Sequence, residues 1–175
     1  MKKVFIPLML VCIAFIGCDE ELNVTLNAPY DVDATLEAVI VTGTGEPIEL
    51  TLPAVNTGDE ALGDYSDKLD KLESATLTSL SVTITNPQGE DFSFMNTIEF
   101  FINGQGMTEQ RVAGQTNIDQ TSSTIVLDVE DVELVEVIKS GEFTGRAVFV
   151  NDELIEQDLD LNIEFQFDVE AAVID

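Results

Sequence analysis

Between residues 159 and 169 the chain alternates without a break. Leu159, Leu161, Ile163, Phe165, Phe167 and Val169 occupy one phase, and Asp160, Asn162, Glu164, Gln166 and Asp168 the other. Successive side chains of a β-strand point to opposite faces. A period of two therefore gathers the apolar residues on one side, which a helix of 3.6 residues per turn cannot do. A strand polar on one side and apolar on the other belongs to a sheet with one wet face. The remainder of the chain must supply a second layer to cover Phe165 and its neighbours.

The same period recurs in shorter pieces. Val32, Ala34, Leu36, Ala38 and Ile40 alternate with polar residues, as do Ile48, Leu50 and Leu52, and the Gly- and Pro-bearing stretch at 42–47 suggests that these two runs form a hairpin. A brief strand at 22–26 precedes them, and Pro29 marks it as an edge or linker piece. Leu80, Val82 and Ile84 form the next strand. Ile98, Phe100 and Ile102 follow, turning at Asn103-Gly104-Gln105-Gly106 into a strand through Arg111 and Val112. Ile125, Leu127 and Val129, and then residues 143–150, complete the set before the final strand.

Two stretches depart from this pattern. Leu62, Tyr65, Leu69 and Leu72 fall at helical spacing and predict a short helix capped by Asp64 or Ser66. Residues 131–139 fit both periods; Asp128 or Asp131 as cap, Lys139 in the last turn and Gly141 beyond it favour a second short helix. Seven or eight strands without βαβ alternation predict an all-β fold, an antiparallel two-sheet β-sandwich with one or two short helices, a small barrel being the alternative. The ten phenylalanines are assigned mainly to its core. Phe101, opposite in phase to Phe100, is either exposed or part of a second packed layer.

Residues 1–21, MKKVFIPLMLVCIAFIGCDEE, follow a different logic. Lys2 and Lys3 precede a thirteen-residue apolar run, 4–16, closed by Gly17 and Cys18. This is the layout of a secretory signal, too short for a membrane span. The ending Phe15-Ile16-Gly17-Cys18 resembles a bacterial lipobox, although Phe15 stands where an aliphatic residue is usual. The resemblance implies that diacylglycerol is added to the Cys18 sulfur, that the chain is cut between Gly17 and Cys18, and that the new amino group is acylated. A thiolate is the strong nucleophile such an alkylation requires, and a small residue before it admits the protease. Three acyl chains, at ~0.8 kcal/mol per buried methylene, exceed what stable anchoring needs. Cys12, preceded by Val11 and still inside the apolar run, is read as a residue of the discarded peptide.

The triplet Asp19-Glu20-Glu21 resembles the acidic export tag of surface lipoproteins in Bacteroidota, which implies an outer-membrane location facing the exterior. In enterobacterial lipoproteins Asp19 at the second mature position would instead imply inner-membrane retention, and a plain acidic tether is the third reading. The body, around LTSLSVTITNPQG and NTIEFFING, resembles β-sandwich lipoproteins of unknown function in Bacteroidota. The expected organisation is a cleaved signal at 1–17, a lipidated cysteine and tether at 18–27, and a sandwich at 28–175.

After Cys18 stand 157 residues, enough for one core. They carry five basic residues against all 34 acidic ones, a net charge of −29. Such a surface repels phosphate backbones and excludes nucleic acid as a partner. The chain has no histidine, and its two cysteines are the discarded Cys12 and the anchor Cys18, so Ser-His, Cys-His and histidine-zinc chemistry are unavailable and no disulfide forms. A loop through Asp59, Glu60 and Asp64, flanked by Gly58 and Gly63, is the one weak calcium candidate, since carboxylates are the ligands of that ion. The alternating Asp158, Asp160 and Asn162 lack the glycine and distal glutamate of an EF-hand and read as a solvated strand face. The resulting expectation is a non-enzymatic, lipid-anchored interaction or structural module without a cofactor. An apolar-ligand carrier and a carboxylate-dependent glycosidase are the alternatives.

Overall fold

The computed structural model describes residues 23–38, 47–58, 60–151 and 153–172. Among the described residues ten strands form two antiparallel sheets packed face to face, as the alternation requires: β1 (Asn23–Leu36), β2 (Pro47–Thr51), β3 (Val55–Asn56), β4 (Leu72–Asn86), β5 (Met95–Gly104), β6 (Gln110–Thr116), β7 (Thr124–Val126), β8 (Asp128–Val129), β9 (Glu142–Asn151) and β10 (Leu159–Ala172). One sheet has the order β1-β10-β4-β7. The other has the order β2-β9-β5-β6-β8, with β3 also on β9.

The strand that organises the sequence also organises the fold. β10 lies between β1 and β4 and buries Leu159, Leu161, Ile163, Phe165, Phe167, Val169 and Ala171. Opposite it, β5 contributes Ile98, Phe100 and Ile102, and β9 contributes Phe143, Ala147 and Phe149. Rings interlock where the sheets meet. Phe143 stands edge-on to Phe165 at 5.4 Å and to Tyr30 at 5.9 Å, while Phe100 meets Phe165 at 5.7 Å. Edge-to-face pairs of this kind add about 0.5–1.5 kcal/mol each beyond the area they bury. Gly145, on the inner face of β9, leaves room for the core: a Cβ there would come within 2.9 Å of Leu52 Cδ1 and 3.3 Å of Phe100.

Three expectations are corrected. The strand at 22–26 and the one beginning at Val32 are a single strand, β1, which runs through Pro29. β1 is an edge strand with β10 as its one sheet neighbour, so a missing N–H at Pro29 is tolerated. Second, β1 and β2 are not a hairpin, because β1 pairs with β10 in one sheet and β2 with β9 in the other. Alternation fixes which face a residue takes but not which strand lies beside it. Ala38 lies past the end of β1, and Ile40 and the turn at 42–46 lie outside the described residues. Third, the helix expected around Leu62–Leu72 is two 3-10 turns, Glu60–Tyr65 and Leu69–Lys71. Gly63 adopts φ 56°, ψ −125°, which breaks helical winding. Leu62, Tyr65 and Leu72 are nevertheless buried, as their spacing implied.

The second helix is present as α1, Val135–Lys139, with Gly141 beyond it at φ 84°. Neither Asp128 nor Asp131 caps it. Leu134 takes the N-cap position, and Glu133 Oε1 accepts the Val135 N–H at 2.9 Å. The turn at Gly104–Gly106 is as expected, with Gly106 at φ 75° and Met107 N–H donating to the Gly104 carbonyl at 3.0 Å.

Candidate functional site

Antiparallel pairing sorts the connections onto two ends of the sandwich. The start of β1 lies beside the end of β10 (Asn23 opposite Ala172), and the end of β10 lies beside the start of β4 (Ala171 opposite Leu72). The two 3-10 turns lead into β4, and α1 leads into β9, so both belong to this end. Tyr65 Oη ties the first 3-10 turn down by donating to the Ala172 carbonyl at 3.1 Å. The other end holds the connections at 87–94, 117–123 and 152–158. Gly17, Cys18, Asp19, Glu20 and Glu21 lie outside the described residues, and β1 begins five positions after Cys18.

The end remote from β1's start contains a cleft of about 510 Å³ between residues 90–94 and 153–159. Phe94, Ile155 and Leu159 line it and are buried, whereas Leu154 on its rim is 51% exposed. Glu90, Glu153 and Glu156 surround these residues, and Gln157 Nε2 donates to Glu90 Oε1 at 2.8 Å across the cleft. Buried Asn151, which precedes this connection, donates to the Glu153 carbonyl at 2.8 Å. An apolar floor inside a ring of carboxylates suits an apolar side chain flanked by basic ones. Sequence reasoning passed over this cleft, although Leu154 in an acidic turn was an unexplained apolar residue.

On the outer face of the second sheet the two arginines hold five acidic and aromatic neighbours. Arg146 donates to Glu109 at 2.9 and 2.6 Å and to Glu49 at 3.0 Å, and its guanidinium lies 4.6 Å from the centre of the Phe101 ring. Arg111 pairs with Glu99 at 3.0 Å and with Glu130. Phe101 is therefore half-buried beneath Arg146 rather than part of a second packed layer. The Arg111 guanidinium lies over Gly114, where a Cβ would oblige its tip to shift.

The Arg146 hydrogen bonds hold the Glu109 carboxyl below its ordinary value of 4.5, against the opposing effect of burial; Arg146 is raised in turn by the same bonds. A folded pKa below the unfolded one contributes stability above the unfolded value and loses it as pH falls through the folded one. Arg146→Ala should accordingly cost about 1 kcal/mol at neutral pH, the scale of an exposed ion pair with a cation–π contact. In thermal melts the gap between parent and variant should narrow progressively as pH falls below 4.5, the ordinary value of Glu109, and on through its lowered value in the folded state.

Of the calcium candidates, Asp59 lies outside the described residues, Glu60 sits in the first 3-10 turn, and Asp64 is exposed. Among the described residues no three His, Cys, Asp or Glu side chains cluster as metal ligands would. Asp160 and Asn162 sit on the polar face of β10, as read. Asp160 accepts from Thr35 at 3.0 Å and Asn86 at 3.1 Å, and Asn162 donates to Asp33 at 3.0 Å. Sodium and calcium chloride at matched ionic strength should raise the melting temperature by similar amounts, by screening the self-repulsion. Saturation by calcium at far lower concentration would instead identify a bound ion.

No family model matches the sequence, and no curated protein matches it. Solved structures with similar architecture include the decameric BFDV capsid protein, 9% identical, covering 87% of this chain and 100% of that one at a TM-score of 0.46. Others are cocksfoot mottle virus, 7% identical over 99% and 98% at 0.35, and the empty head of turnip yellow mosaic virus, 13% identical over 100% and 93% at 0.32. Likeness at this level is too loose to bear on function.

Proposed function

We propose that this chain is a lipid-anchored envelope lipoprotein of the outer membrane, facing outward, whose sandwich acts as a non-enzymatic interaction or structural module. The observation that carries the reading is the run from Lys2-Lys3 through residues 4–16 to Gly17-Cys18, a positive and then apolar segment ending in a small residue and a thiol. Cys18 is the residue that receives lipid, and Gly17-Cys18 is the bond that is cut.

Two features support a binding module over the alternatives. Interlocked rings of Tyr30, Phe100, Phe143, Phe165 and Phe167 occupy the space between the sheets where a carrier would hold an apolar ligand. A glycosidase needs a carboxyl group with a raised pKa, whereas among the described residues Glu109 and Asp119 are lowered, by hydrogen bonds from Arg146 and Thr121. The cleft beside Leu154 is the place where a protein partner would dock.

Cells fed an alkyne-tagged palmitate should incorporate it into the parent protein; an unlabelled protein would refute lipidation. Protease shaving of intact cells tests the outward orientation. The parent should be digested, and a variant with Asp19, Glu20 and Glu21 all replaced by alanine should remain labelled but protected. Equal digestion of both would reduce the triplet to a tether.

A further inference from the structure

The sheet built on β10 ends in an open edge, and the hydrogen bonds of β4 show which groups it presents. Ile84 N–H donates to the Ser123 carbonyl and Leu127 N–H to the Leu80 carbonyl, both at 2.9 Å, so the backbones of Leu80 and Ile84 point away from β10. Ser81 and Thr83 between them point toward it, at Glu164 and Asn162. Direction alternates along an antiparallel strand. Ile163 and Phe165 of β10 therefore turn to Val32 and Tyr30 of β1, and the N–H and C=O groups of Asn27, Asp31, Asp33 and Thr35 face outward. Pro29 falls in the same phase, which is why a residue without an N–H sits in mid-strand with no break in register. Among the described residues no hydrogen bond reaches these five outward backbones.

The side chains of the same residues lie on the outer face, where they lack a counter-charge. Asp31 stands directly opposite Glu164, and Asp33 accepts one hydrogen bond, from Asn162 at 3.0 Å. β1, β4, β7 and β10 carry no lysine or arginine. Like charges directly opposite each other are unfavourable in a sheet. A strand added along β1 would put one residue beside Asp31, in a row with Glu164, and another beside Asp33. Both places call for a cation. β7 and β8, with only Leu127 between them, lie on one side of the sandwich, so β1 and β2 are the edges of the other. The inward side chains of an added strand would face β2, whose Ile48 and Leu50 are partly buried.

We propose that the edge from Asn27 to Thr35 receives an extended segment of another protein, with lysine or arginine at alternate positions beside Asp31 and Asp33 and apolar residues between them facing inward. In such strand addition the backbone bonds give affinity and the alternate side chains give specificity. A second copy of this chain has the wrong charge. Its edge strands β1, β2, β7 and β8 contain no lysine or arginine. Pairing β1 with β1 along its length would also bring Pro29 and Asp31 of both copies to the centre, where donors are lost and carboxylates added. The edge shares no residue with the cleft beside Leu154. The inference extends the reading of the domain as an interaction module and stands independently of lipidation at Cys18.

The full-length protein in non-ionic detergent can be titrated with a short fluorescent peptide of alternating lysine and valine, at physiological ionic strength. Anisotropy should rise and saturate. Asp31→Asn with Asp33→Asn should weaken binding roughly tenfold, the scale of two lost cross-strand ion pairs. Asp128→Asn with Asp131→Asn removes the same charge from exposed positions on the opposite side of the sandwich and should leave binding nearly unchanged. A peptide N-methylated at its lysine amides keeps every charge but cannot donate to the outward carbonyls of β1, and it should bind severalfold more weakly. Equal binding of the methylated peptide, or equal losses from the two pairs of substitutions, would reduce the effect to general attraction and overturn the proposal. Absence of binding would also overturn it and make Pro29, Asp31 and Asp33 a guard against pairing. A parent that is dimeric by light scattering and becomes monomeric with Asp33→Pro would assign the edge to a second copy, against the proposal. None of these outcomes bears on the palmitate labelling, which tests the anchor separately.

Discussion

Phe165→Ala should lower the melting temperature of the chain from Asp19 by roughly 10 °C or more. Emptying a buried phenylalanine site costs about 3–5 kcal/mol, and each kcal/mol moves the midpoint of a domain this size by about 2–4 °C. Phe165 is 1% exposed and touches rings on both sheets, Phe100 and Phe143 opposite and Phe167 beside it on β10. No disulfide supports the domain, so its loss falls directly on packing. Phe101→Ala is the matched control. That ring lies on the outer face under Arg146, and its removal should cost about 1 kcal/mol, the value of an exposed cation–π contact. Thermal melts of the two variants would check the assignment of faces; equal losses would contradict it.

Cys18→Ser should abolish membrane partitioning altogether. The serine oxygen is a far weaker nucleophile than a thiolate near neutral pH, so diacylglycerol transfer fails and, on the proposed order of maturation, cleavage after Gly17 fails with it. The expected product retains residues 1–17 or is released without lipid, and in detergent phase separation it leaves the lipoprotein fraction. Cys12→Ser should leave partitioning intact, because on the proposed maturation Cys12 lies within the apolar run that is removed. Partitioning that survived Cys18→Ser and vanished with Cys12→Ser would move the anchor to the other cysteine.

How far the sequence discloses this molecule depends on which physical relation is asked of it. β10 was legible from Leu159 to Val169, because its period of two states both its conformation and its buried face, although the strand runs on to Ala172. Pairing was not: β1 and β2 alternate well and stand close in sequence, yet β1 joins β10, with Leu36 opposite Leu159. Local pattern carries no term for so distant a neighbour. The stretch around Leu62, Tyr65, Leu69 and Leu72 was legible as core-facing and misread as a helix, since two 3-10 turns, the first kinked at Gly63, bury Leu62, Tyr65 and Leu72 and leave Leu69 half-buried. Arg146, Phe101 and Glu109 come together through the register of β5 against β9 and the turn that leads into β6, which no spacing in the chain announces. The proposed signal ending at Gly17-Cys18 is the reverse case. Its meaning lies in the order of residues and owes nothing to the sandwich that follows.

The account rests on the chemical state of Cys18, and the intact mass of the protein extracted from its membrane reads that state directly. The expected mass is that of a chain beginning at Cys18 and carrying a thioether-linked diacylglycerol and one amide-linked acyl group. A chain that still begins at Met1, or one cut elsewhere with an unmodified cysteine, would contradict it.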